Sequence, residues 1–457
     1  MQALGSNGRP SNCNRHFIFL SNTIRPSVRF SLVRAAPPRP SGACPGRGQR
    51  LNNGRGNLRT MPSESTVFER ATKALDAFQI EIPSWGFANT GTRFGKFIEA
   101  AAASTLEEKF ADAAEVERLT GVTPTMALHV LWDLPNGVDD VAELRNLEQR
   151  FGIRAGSINP NLFEDQRYKF GSLCNPDAAI RRQALDHLLD SIRIGRATGS
   201  RDISLWLADG SNYPGSQSMR KRMAWLEDGL RTAHDQLGPD QRLLIEYKPF
   251  EPAFYHTDIA DWGMASHLAR EAGPRAQVLV DTGHHYNAQN IEQIVAWLLH
   301  TGLLGGFHFN DRRYADDDLT LGSIDPYQIF RIFHELNVAQ SEGLARGVAF
   351  MIDQSHTLKG KIEATVQTVM AAQELWLKAA LVDHDLLQVH QQSCDIVAAE
   401  ELFRGAFWTD VRPMVASWRC QRGLAPDPLA ELRASGYVER IGEQRSRRRV
   451  AIQSSYA

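Results

Sequence analysis

Short apolar runs alternate with longer amphipathic stretches along most of the chain from residue 80 onward. Runs of this length, rich in β-branched and other apolar residues, predict parallel strands that are covered on both faces. Eight such runs lie at 82–86, 127–132, 153–159, 202–208, 242–248, 277–281, 305–310 and 348–354. The stretches between them place apolar residues at helical spacing. They predict helices that include 106–119, 178–198, 219–237, 259–272, 291–301 and 326–337.

Eight strands that are each followed by a helix predict the α/β class and, within it, a (β/α)8 TIM barrel. A further helical segment is predicted at about 359–432, before a basic tail at 440–450 that contains five arginines. The sequence therefore predicts a barrel domain at 61–358. A C-terminal helical extension with the basic tail would occupy 359–457.

The first 60 residues differ sharply in composition from the rest of the chain. They contain ten arginines and no lysine, aspartate or glutamate, and the remainder carries a net charge of −12. This composition predicts a disordered, Arg-rich arm at 1–60. Two interpretations stay open for the arm: a transit segment for an organelle, or an upstream stretch that is not translated because translation starts at Met61.

The net charge and the cysteine content limit which partners and which cellular compartment we expect for the protein. The acidic body argues against nucleic acid as a partner and suits metal cations better than phosphates. No apolar run approaches the ~18 residues that a membrane-spanning helix needs, so no membrane partner is expected. The five cysteines include no CxxC pair, which favours a reducing, cytoplasmic compartment. Import into an organelle through the arm is the alternative.

Acids and imidazoles follow the last four predicted strands. The inward-facing candidates are Glu246, Asp281, His284, His308, Asp316, Asp318 and Asp353. Because the strands of such a barrel all end at one rim, these side chains should meet there. So many carboxylates would repel each other without a counter-ion, and a carboxylate and imidazole set suits Mn, Co, Zn or Mg. Seven ligands are too many for one ion, so we expect two divalent ions with a shared carboxylate.

Each of these residues also has a purely structural explanation when taken alone. An aspartate at a strand end is more often a helix cap or a turn residue, and the run Asp316–Asp318 could be an ordinary acidic loop. Placement on four adjacent strands is what favours a metal site.

Three tryptophans lie near the ends of other predicted strands. Trp85 lies at the end of the first predicted strand, Trp132 at the end of the second and Trp206 at the end of the fourth. His129 lies three residues before Trp132. Indoles around a polar pocket are typical of sites that bind the C–H face of a sugar, although three core indoles are the alternative. Opposite a metal cluster, they predict a carbohydrate pocket.

Several longer runs carry a resemblance to a known family. They are PSWG (83–86), GTRF (91–94), DGSNYPG (209–215), EPAFY (251–255), VDTGHH (280–285), GFHFND (306–311), MIDQSH (351–356) and RASGY (433–437). Together they resemble bacterial-type L-rhamnose isomerases of the broad-specificity subtype, which belong to the xylose-isomerase-like barrels. The resemblance covers about residues 68–440.

The resemblance implies a metal-dependent aldose–ketose isomerase that converts L-rhamnose to L-rhamnulose and acts on other aldoses. It implies a homotetramer that uses two divalent ions per subunit, manganese above all. The structural ion would be held by Glu246, Asp281, His308 and Asp353. The catalytic ion would be held by His284, Asp316 and Asp318, with Asp281 bridging.

The resemblance also implies roles for individual side chains around the sugar. Lys248 would stabilise negative charge at O1, His129 would assist ring opening, and Asp318 completes the catalytic set. The pocket would be lined by Trp85, Trp132 and Trp206, and by Phe94 from a neighbouring subunit.

Other classes of protein with the same barrel would need different site residues and a different number of metal ions. A related sugar epimerase would bind one ion and use two glutamates as acid and base, and a barrel nuclease would bind three ions in a basic groove. A sugar-binding protein without catalysis has no need of two metal sites. For the isomerase, a hydride shift from C2 to C1 is our hypothesis, and proton abstraction through an enediol is the alternative.

Overall fold

The computed structural model describes residues 64–446, except 90, 93, 94, 252 and 253. The side chains of 64–67, 91, 92, 95 and 96 are likewise outside the description. The predicted arm at 1–60, the pocket candidate Phe94 and the last part of the predicted basic tail therefore lie outside the described residues.

Eight parallel strands form one sheet, in which each strand pairs with the next one along the chain. They are β1 (Ile82–Pro83), β2 (Thr125–His129), β3 (Arg154–Asn159), β4 (Asp202–Leu205), β5 (Arg242–Glu246), β6 (Ala276–Asp281), β7 (Leu304–Phe309) and β8 (Ala349–Ile352). Glu81 closes the barrel: its N–H donates to Phe350 O and its carbonyl accepts from Ile352 N–H, both at 2.8 Å. The predicted (β/α)8 barrel is confirmed.

Five of the eight strands end two or three residues earlier than the apolar runs predicted. The second run continues to Trp132, but β2 ends at His129, and the fourth continues to Ala208, but β4 ends at Leu205. The chain turns at these points, so the residues that follow leave the sheet and line the mouth of the barrel. Apolar character therefore extends beyond the hydrogen-bonded strands.

Helices follow the strands and continue past the eighth. They are α1 (Glu64–Asp76), α2 (Leu106–Thr120), α3 (Val141–Phe151), α4 (Ala178–Thr198), α5 (Met219–Asp235), α6 (Trp262–Ala272), α7 (Ile291–His300), α8 (Pro326–Glu342), α9 (Lys361–Ala380), α10 (His384–Gln392), α11 (Ile396–Trp408), α12 (Arg412–Gln421), α13 (Pro428–Ser435) and α14 (Tyr437–Ser446). α3 was not among the helices named from the sequence. It buries Leu144 and Leu147, and Val141 and Phe151 at its two ends also pack against the core. None of the described helices combines the length and apolar composition needed to cross a bilayer.

Local sequence signals fix where the helices begin and end. Thr105 Oγ1 accepts from the N–H of Glu108 at the start of α2, and Gly121 ends that helix with φ 70°. A left-handed residue at this position favours glycine, which has no Cβ. Asp325 caps α8 in the same way ahead of Pro326, and proline is favourable in the first turn because its missing N–H would have no helical partner.

The main core lies between the sheet and the surrounding helices. Aromatic rings fill the space between β7, β8, α8 and α9, with the ring centroids of Phe309 and Phe333 5.2 Å apart. Inside the barrel, Leu244, Leu279 and Met351 form a separate small cluster. The barrel interior is therefore packed below the mouth.

The C-terminal helices pack onto the barrel. α9 contacts α8 and α2, as the eighth helix of a barrel does, so the division of the chain at residue 359 stays a prediction. Part of the predicted basic tail is helix α14, and Arg445 in it is buried. Its guanidinium donates to Asp112 Oδ2 at 2.8 Å and Oδ1 at 2.9 Å, which ties α14 to α2.

One buried histidine lies beneath the C-terminal helices, and we expect it to make the folded protein less stable in acid. His334 on α8 is buried, 4.9 Å from the His384 ring and 4.5 Å from the Phe403 ring. Burial, with repulsion from His384, lowers the pKa of His334 to about 3. As the pH falls below ~6.5, this histidine becomes protonated in the unfolded chain but stays neutral in the folded protein, so the free energy of unfolding decreases. Between pH 7 and 5 the loss at His334 amounts to about 2 kcal/mol.

Urea unfolding of His334→Leu at pH 7 and pH 5 tests this. We expect the variant to lose less stability than the unchanged protein between the two pH values. The control is His300→Leu, since His300 is exposed at the end of α7. Equal pH dependence in His334→Leu and the unchanged protein would contradict the prediction.

Candidate functional site

A cavity of about 460 Å³ opens at the end of the barrel where the strands finish. Its walls combine acids, imidazoles, one lysine and aromatic rings. They are Trp85, His129, Trp132, Asn159, Pro160, Phe163, Ser204, Trp206, Glu246, Lys248, Glu251, His284, His308, Asp316, Asp318 and Asp353. Every predicted site residue among the described ones lines this cavity, except Asp281, which is fully buried.

The last four strands bring one group of possible metal ligands together. Each member offers one ligand atom within 4.8 Å of the others: Glu246, Asp281, His308 and Asp353. His308 Nδ1 lies 3.2 Å from Glu246 Oε2 and 3.7 Å from Asp353 Oδ2. These four residues are the predicted ligands of the structural ion.

A second group shares Asp281 and extends toward the cavity. Asp281, His284 and Asp316 also offer ligand atoms within 4.8 Å of one another. His284 Nε2 lies 3.4 Å from Asp316 Oδ1 and 3.9 Å from Asp281 Oδ2. Its Nδ1 lies 3.0 Å from the carbonyl oxygen of Tyr247. Because that oxygen only accepts, it favours a proton on Nδ1 and leaves Nε2 available as a ligand.

Asp318 lines the same cavity but is not a member of that second group in the described structure. Its backbone is left-handed, with φ 46°, so the acidic loop does not continue the alternation of a strand. Burial raises the pKa of the Asp318 carboxyl well above its ordinary value, and Asp316 and Asp353 add to the effect. Asp317 instead accepts from the N–H of Arg313 at 2.6 Å.

The donor set fits divalent cations. His308 Nε2 is buried and has no hydrogen-bond partner among the described residues. His308 Nδ1 and Asp316 Oδ1 are also buried and have only the ion-pair contacts given above. Buried polar atoms without partners are rare in folded proteins and indicate a missing ligand or water. Imidazole and carboxylate ligands suit Mn, Co, Zn and Mg.

Protons carry the compensating charge when no cation is present. Burial lowers the pKa of His308, but the carboxylate of Glu246 outweighs burial and raises it to about 9. Burial is likewise outweighed at His284, where Asp281 and Asp316 raise the pKa to about 10. Burial raises the pKa of Asp281 to about 7. A bound divalent cation would replace these protons, so its affinity should rise with pH.

Lys248 carries its ammonium between two carboxylates at the edge of the second group. Its Nζ lies 2.7 Å from Asp316 Oδ2 and 3.2 Å from Glu251 Oε2, and 5.0 Å from the centroid of the Trp206 ring. Burial opposes its charge, but Asp316 and Glu251 outweigh burial and raise the pKa of Lys248 above its ordinary value. The side chain is therefore a fixed cation in the cavity.

The wall opposite the acids is aromatic, as predicted. The indole Nε1 of Trp85 donates to Asp353 Oδ1 at 2.8 Å, so this tryptophan contacts both the cavity and a candidate ligand. The Trp132 ring stacks on His129 with centroids 3.9 Å apart. The Trp206 ring packs at 5.0 Å against Phe163.

Backbone contacts fix the orientation of His129. Its Nδ1 lies 3.2 Å from the carbonyl oxygen of Val130, which favours a proton on Nδ1 and a bare Nε2. Burial lowers the pKa of His129 to about 4, so the ring is neutral near pH 7. Its backbone N–H donates to Asp133 Oδ2 at 2.7 Å, and Asp133 is paired with the buried Lys109 at 2.5 Å.

Five residues that line the cavity were not predicted from the sequence: Asn159, Pro160, Phe163, Ser204 and Glu251. Glu251 lies in the loop after β5, where the hairpin of Phe250–Glu251 and Tyr255–His256 returns it to the cavity. The run EPAFY that carries the resemblance contained this signal. Phe163 follows β3 and had no signal beyond being aromatic.

Comparison with known proteins places the chain in a family. The model of the "Xylose isomerase-like TIM barrel" family matches residues 110–342. A protein of Mesorhizobium japonicum called a probable sugar isomerase is 40% identical over 378 residues, which cover 81% of this chain and 87% of that protein. The chain belongs to the xylose isomerase-like TIM barrel family.

Further relatives of this xylose isomerase-like barrel extend the comparison. A probable sugar isomerase of Rhizobium meliloti is 40% identical over 82% of this chain and 88% of its own length. A xylose isomerase of Thermus thermophilus is 28% identical over 38% of this chain and 46% of its own. Among solved structures, D-allulose 3-epimerase of a Methylomonas species covers 64% of this chain and 95% of its own, at 14% identity and a TM-score of 0.46.

Proposed function

We propose that the chain is a two-metal aldose–ketose isomerase whose preferred reaction is L-rhamnose to L-rhamnulose. The observation that carries the proposal is the buried carboxylate of Asp281, which belongs to both ligand groups. Relatives named probable sugar isomerases support the reaction class, and the sequence runs that resemble L-rhamnose isomerases support the sugar.

The two groups would hold two divalent ions, with manganese preferred and Co, Zn or Mg as alternatives. Glu246, Asp281, His308 and Asp353 would hold the structural ion, and His284, Asp316, Asp318 and the shared Asp281 the catalytic one. When bound, such ions supply Lewis acidity toward neighbouring sugar oxygens and lower the pKa of water. This family membership and the donor set support divalent-ion dependence.

The chain's own side chains would bind the sugar and move its protons. The neutral Nε2 of His129 would accept the proton of the O1 hydroxyl as the ring opens, because Nδ1 is already protonated toward Val130. The ammonium of Lys248 would then stabilise negative charge that develops at O1. The indoles of Trp85, Trp132 and Trp206 would cover the C–H face of the sugar and exclude water.

A hydride shift balances the isomerisation. The C2–H bond breaks, hydrogen moves with its electron pair to C1, and the proton of O2 is passed to O1, so that C1 is reduced and C2 is oxidised. Running the reaction in deuterated water tests this step. Retention of the substrate hydrogen at C1 is expected, and solvent deuterium incorporated into the product at the rate of turnover would exclude the hydride shift in favour of the enediol.

A sugar epimerase is the second candidate because of Glu251. Its carboxylate gives the cavity the second glutamate that an epimerase would use, although it is paired with Lys248 at 3.2 Å. Metal analysis separates the two candidates, since two ions per chain support the isomerase and one ion supports the epimerase.

Further features of the proposal concern assembly and location. We propose a homotetramer in which Phe94 enters the cavity of a neighbouring subunit, and a cytoplasmic location. The decisive test of function incubates manganese-loaded protein with a panel of aldoses and ketoses. Conversion of L-rhamnose to L-rhamnulose is expected. Conversion of a different aldose–ketose pair would keep the class and reject the sugar, and no conversion of any pair would reject the class.

A further inference from the structure

A buried amide beside the shared carboxylate has no role in the site described so far. Asn310 follows β7 directly and is fully buried. Its Nδ2 donates to Asp281 at 3.1 Å from Oδ1 and 3.2 Å from Oδ2. An ionised carboxylate only accepts hydrogen bonds, so the amide nitrogen rather than the oxygen must face it.

Thr282 holds this amide in place. The backbone N–H of Asn310 donates to Thr282 Oγ1 at 2.9 Å, and that hydroxyl lies 2.9 Å from Asn310 O and 3.3 Å from Asn310 Oδ1. Because the hydroxyl bridges backbone and side chain of one residue, the rotamer of Asn310 is fixed. The amide is therefore pre-positioned toward Asp281 whether or not the carboxylate has other partners.

Gly283 provides the space in which the amide and the acids approach each other. A Cβ at this position would lie 2.7 Å from Asn310 Oδ1, 3.0 Å from Asp281 Oδ1 and 3.1 Å from Asp316 Oδ1. The N–H of Gly283 donates to Asp281 Oδ1 at 2.6 Å. Asp281 thus has two protein donors, one from the turn that follows its own strand β6 and one from the residue that follows β7.

We propose that Asn310 is a positioning residue that orients the Asp281 carboxylate so that one oxygen serves each ligand group. This inference rests on the proposed two-metal site. Asp281 is the only residue common to both groups among the described residues, so its side-chain torsion decides whether both can bind at once. The Asn310 amide and the Gly283 N–H restrain that torsion, since both donate to the same carboxylate.

The expected consequence of losing the amide is weaker binding of metal. Residues that hydrogen-bond to a metal ligand and so orient it typically contribute roughly 10- to 100-fold to metal affinity. Asn310→Ala should therefore bind Mn(II) roughly 10- to 100-fold more weakly. The second equivalent should suffer most because Asp318 lies outside the second ligand group, which leaves only His284 and Asp316 beside Asp281. The electron paramagnetic resonance spectrum of the loaded protein should lose the coupling between two neighbouring Mn(II) ions.

The experiment is a calorimetric Mn(II) titration of full-length wild type, Asn310→Ala and the gentler Asn310→Ser, followed by resonance spectra. The control is Asn175→Ala, since Asn175 is also buried and donates to Gly171 O at 2.6 Å, outside both ligand groups. Wild-type affinity should persist in the control.

Wild-type affinity for both ions in the Asn310 variants would overturn the inference, and so would equal weakening in Asn175→Ala. Should Asn310→Ala not fold, Asn310→Ser decides by the same criteria. A wild type that binds one ion per chain would reject the proposed function instead. The positioning role of Asn310 would then be judged by the affinity ratio at that ion.

Discussion

Lys248→Met is expected to lower kcat by about 10²- to 10³-fold while both metal sites still bind Mn(II). Lys248 carries the only ammonium or guanidinium among the described residues that line the cavity. Removing one preorganised group that stabilises developing charge typically costs this factor. Its Nζ is held between Asp316 and Glu251, and in the proposed reaction this fixed ammonium would stabilise the charge at O1. Steady-state kinetics with L-rhamnose and a Mn(II) titration measure both quantities.

The matched control is Lys378→Met. Lys378 is half-buried on α9 and its ammonium donates to the carbonyl oxygens of Phe407 and Thr409, so the substitution removes a comparable cation outside the cavity. We expect unchanged kcat in this variant. If Lys248→Met raises KM and leaves kcat intact, Lys248 binds the ground state and the transition state equally and the proposed role at O1 is wrong.

The local pattern of the chain was sufficient to predict the barrel. Buried parallel strands can be recognised by their apolar runs, and each of the eight runs overlaps a strand of the sheet. Their ends were misjudged because apolar side chains continue into the loops, as Trp132 and Trp206 do when they line the cavity.

The candidate ligands could be predicted because strand ends of a barrel converge whatever their separation in sequence. Glu246 and Lys248 were placed on one side by alternation, and both line the cavity. Alternation failed where the chain turns. His129 and Trp132 are three residues apart and would face opposite ways in a strand, yet their rings stack at 3.9 Å. Leu131 between them is left-handed, with φ 78°.

Sequence patterns could not predict the contacts that the loops make in the folded protein. Glu251 enters the cavity because a short hairpin folds back after β5, and Asn310 reaches Asp281 because β6 and β7 pair in a particular register. That register places Asp281 opposite His308, so the residue two positions later can reach back to the carboxylate. Such contacts depend on tertiary placement, so the run EPAFY marks Glu251 in the sequence but does not place it in the cavity.

Glu246→Gln is expected to remove tight binding of the first ion and to lower activity by about 10³-fold. Glu246 Oε1 and Oε2 lie 3.2 Å from His284 Nδ1 and His308 Nδ1 respectively, so one carboxylate faces both groups. The amide keeps the shape but loses the charge that a divalent cation requires. Lewis-acid stabilisation contributes several kcal/mol, and each ~1.4 kcal/mol is tenfold in rate. The measurements are metal content after dialysis and turnover of L-rhamnose.

Thermal unfolding with and without Mn(II) separates loss of the ion from loss of the fold. An ion that binds only the folded state stabilises it by about 2.7 kcal/mol at 100 times its Kd, so the wild type should melt higher with Mn(II) and Glu246→Gln should gain much less. The control is Glu81→Gln, whose carboxylate accepts from Ser157 N–H at 2.9 Å and Oγ–H at 2.6 Å at the opposite end of the same barrel. A full Mn(II)-induced shift in Glu246→Gln would remove Glu246 from the metal site. A lost shift in Glu81→Gln would show that any buried charge change in the barrel disturbs metal binding.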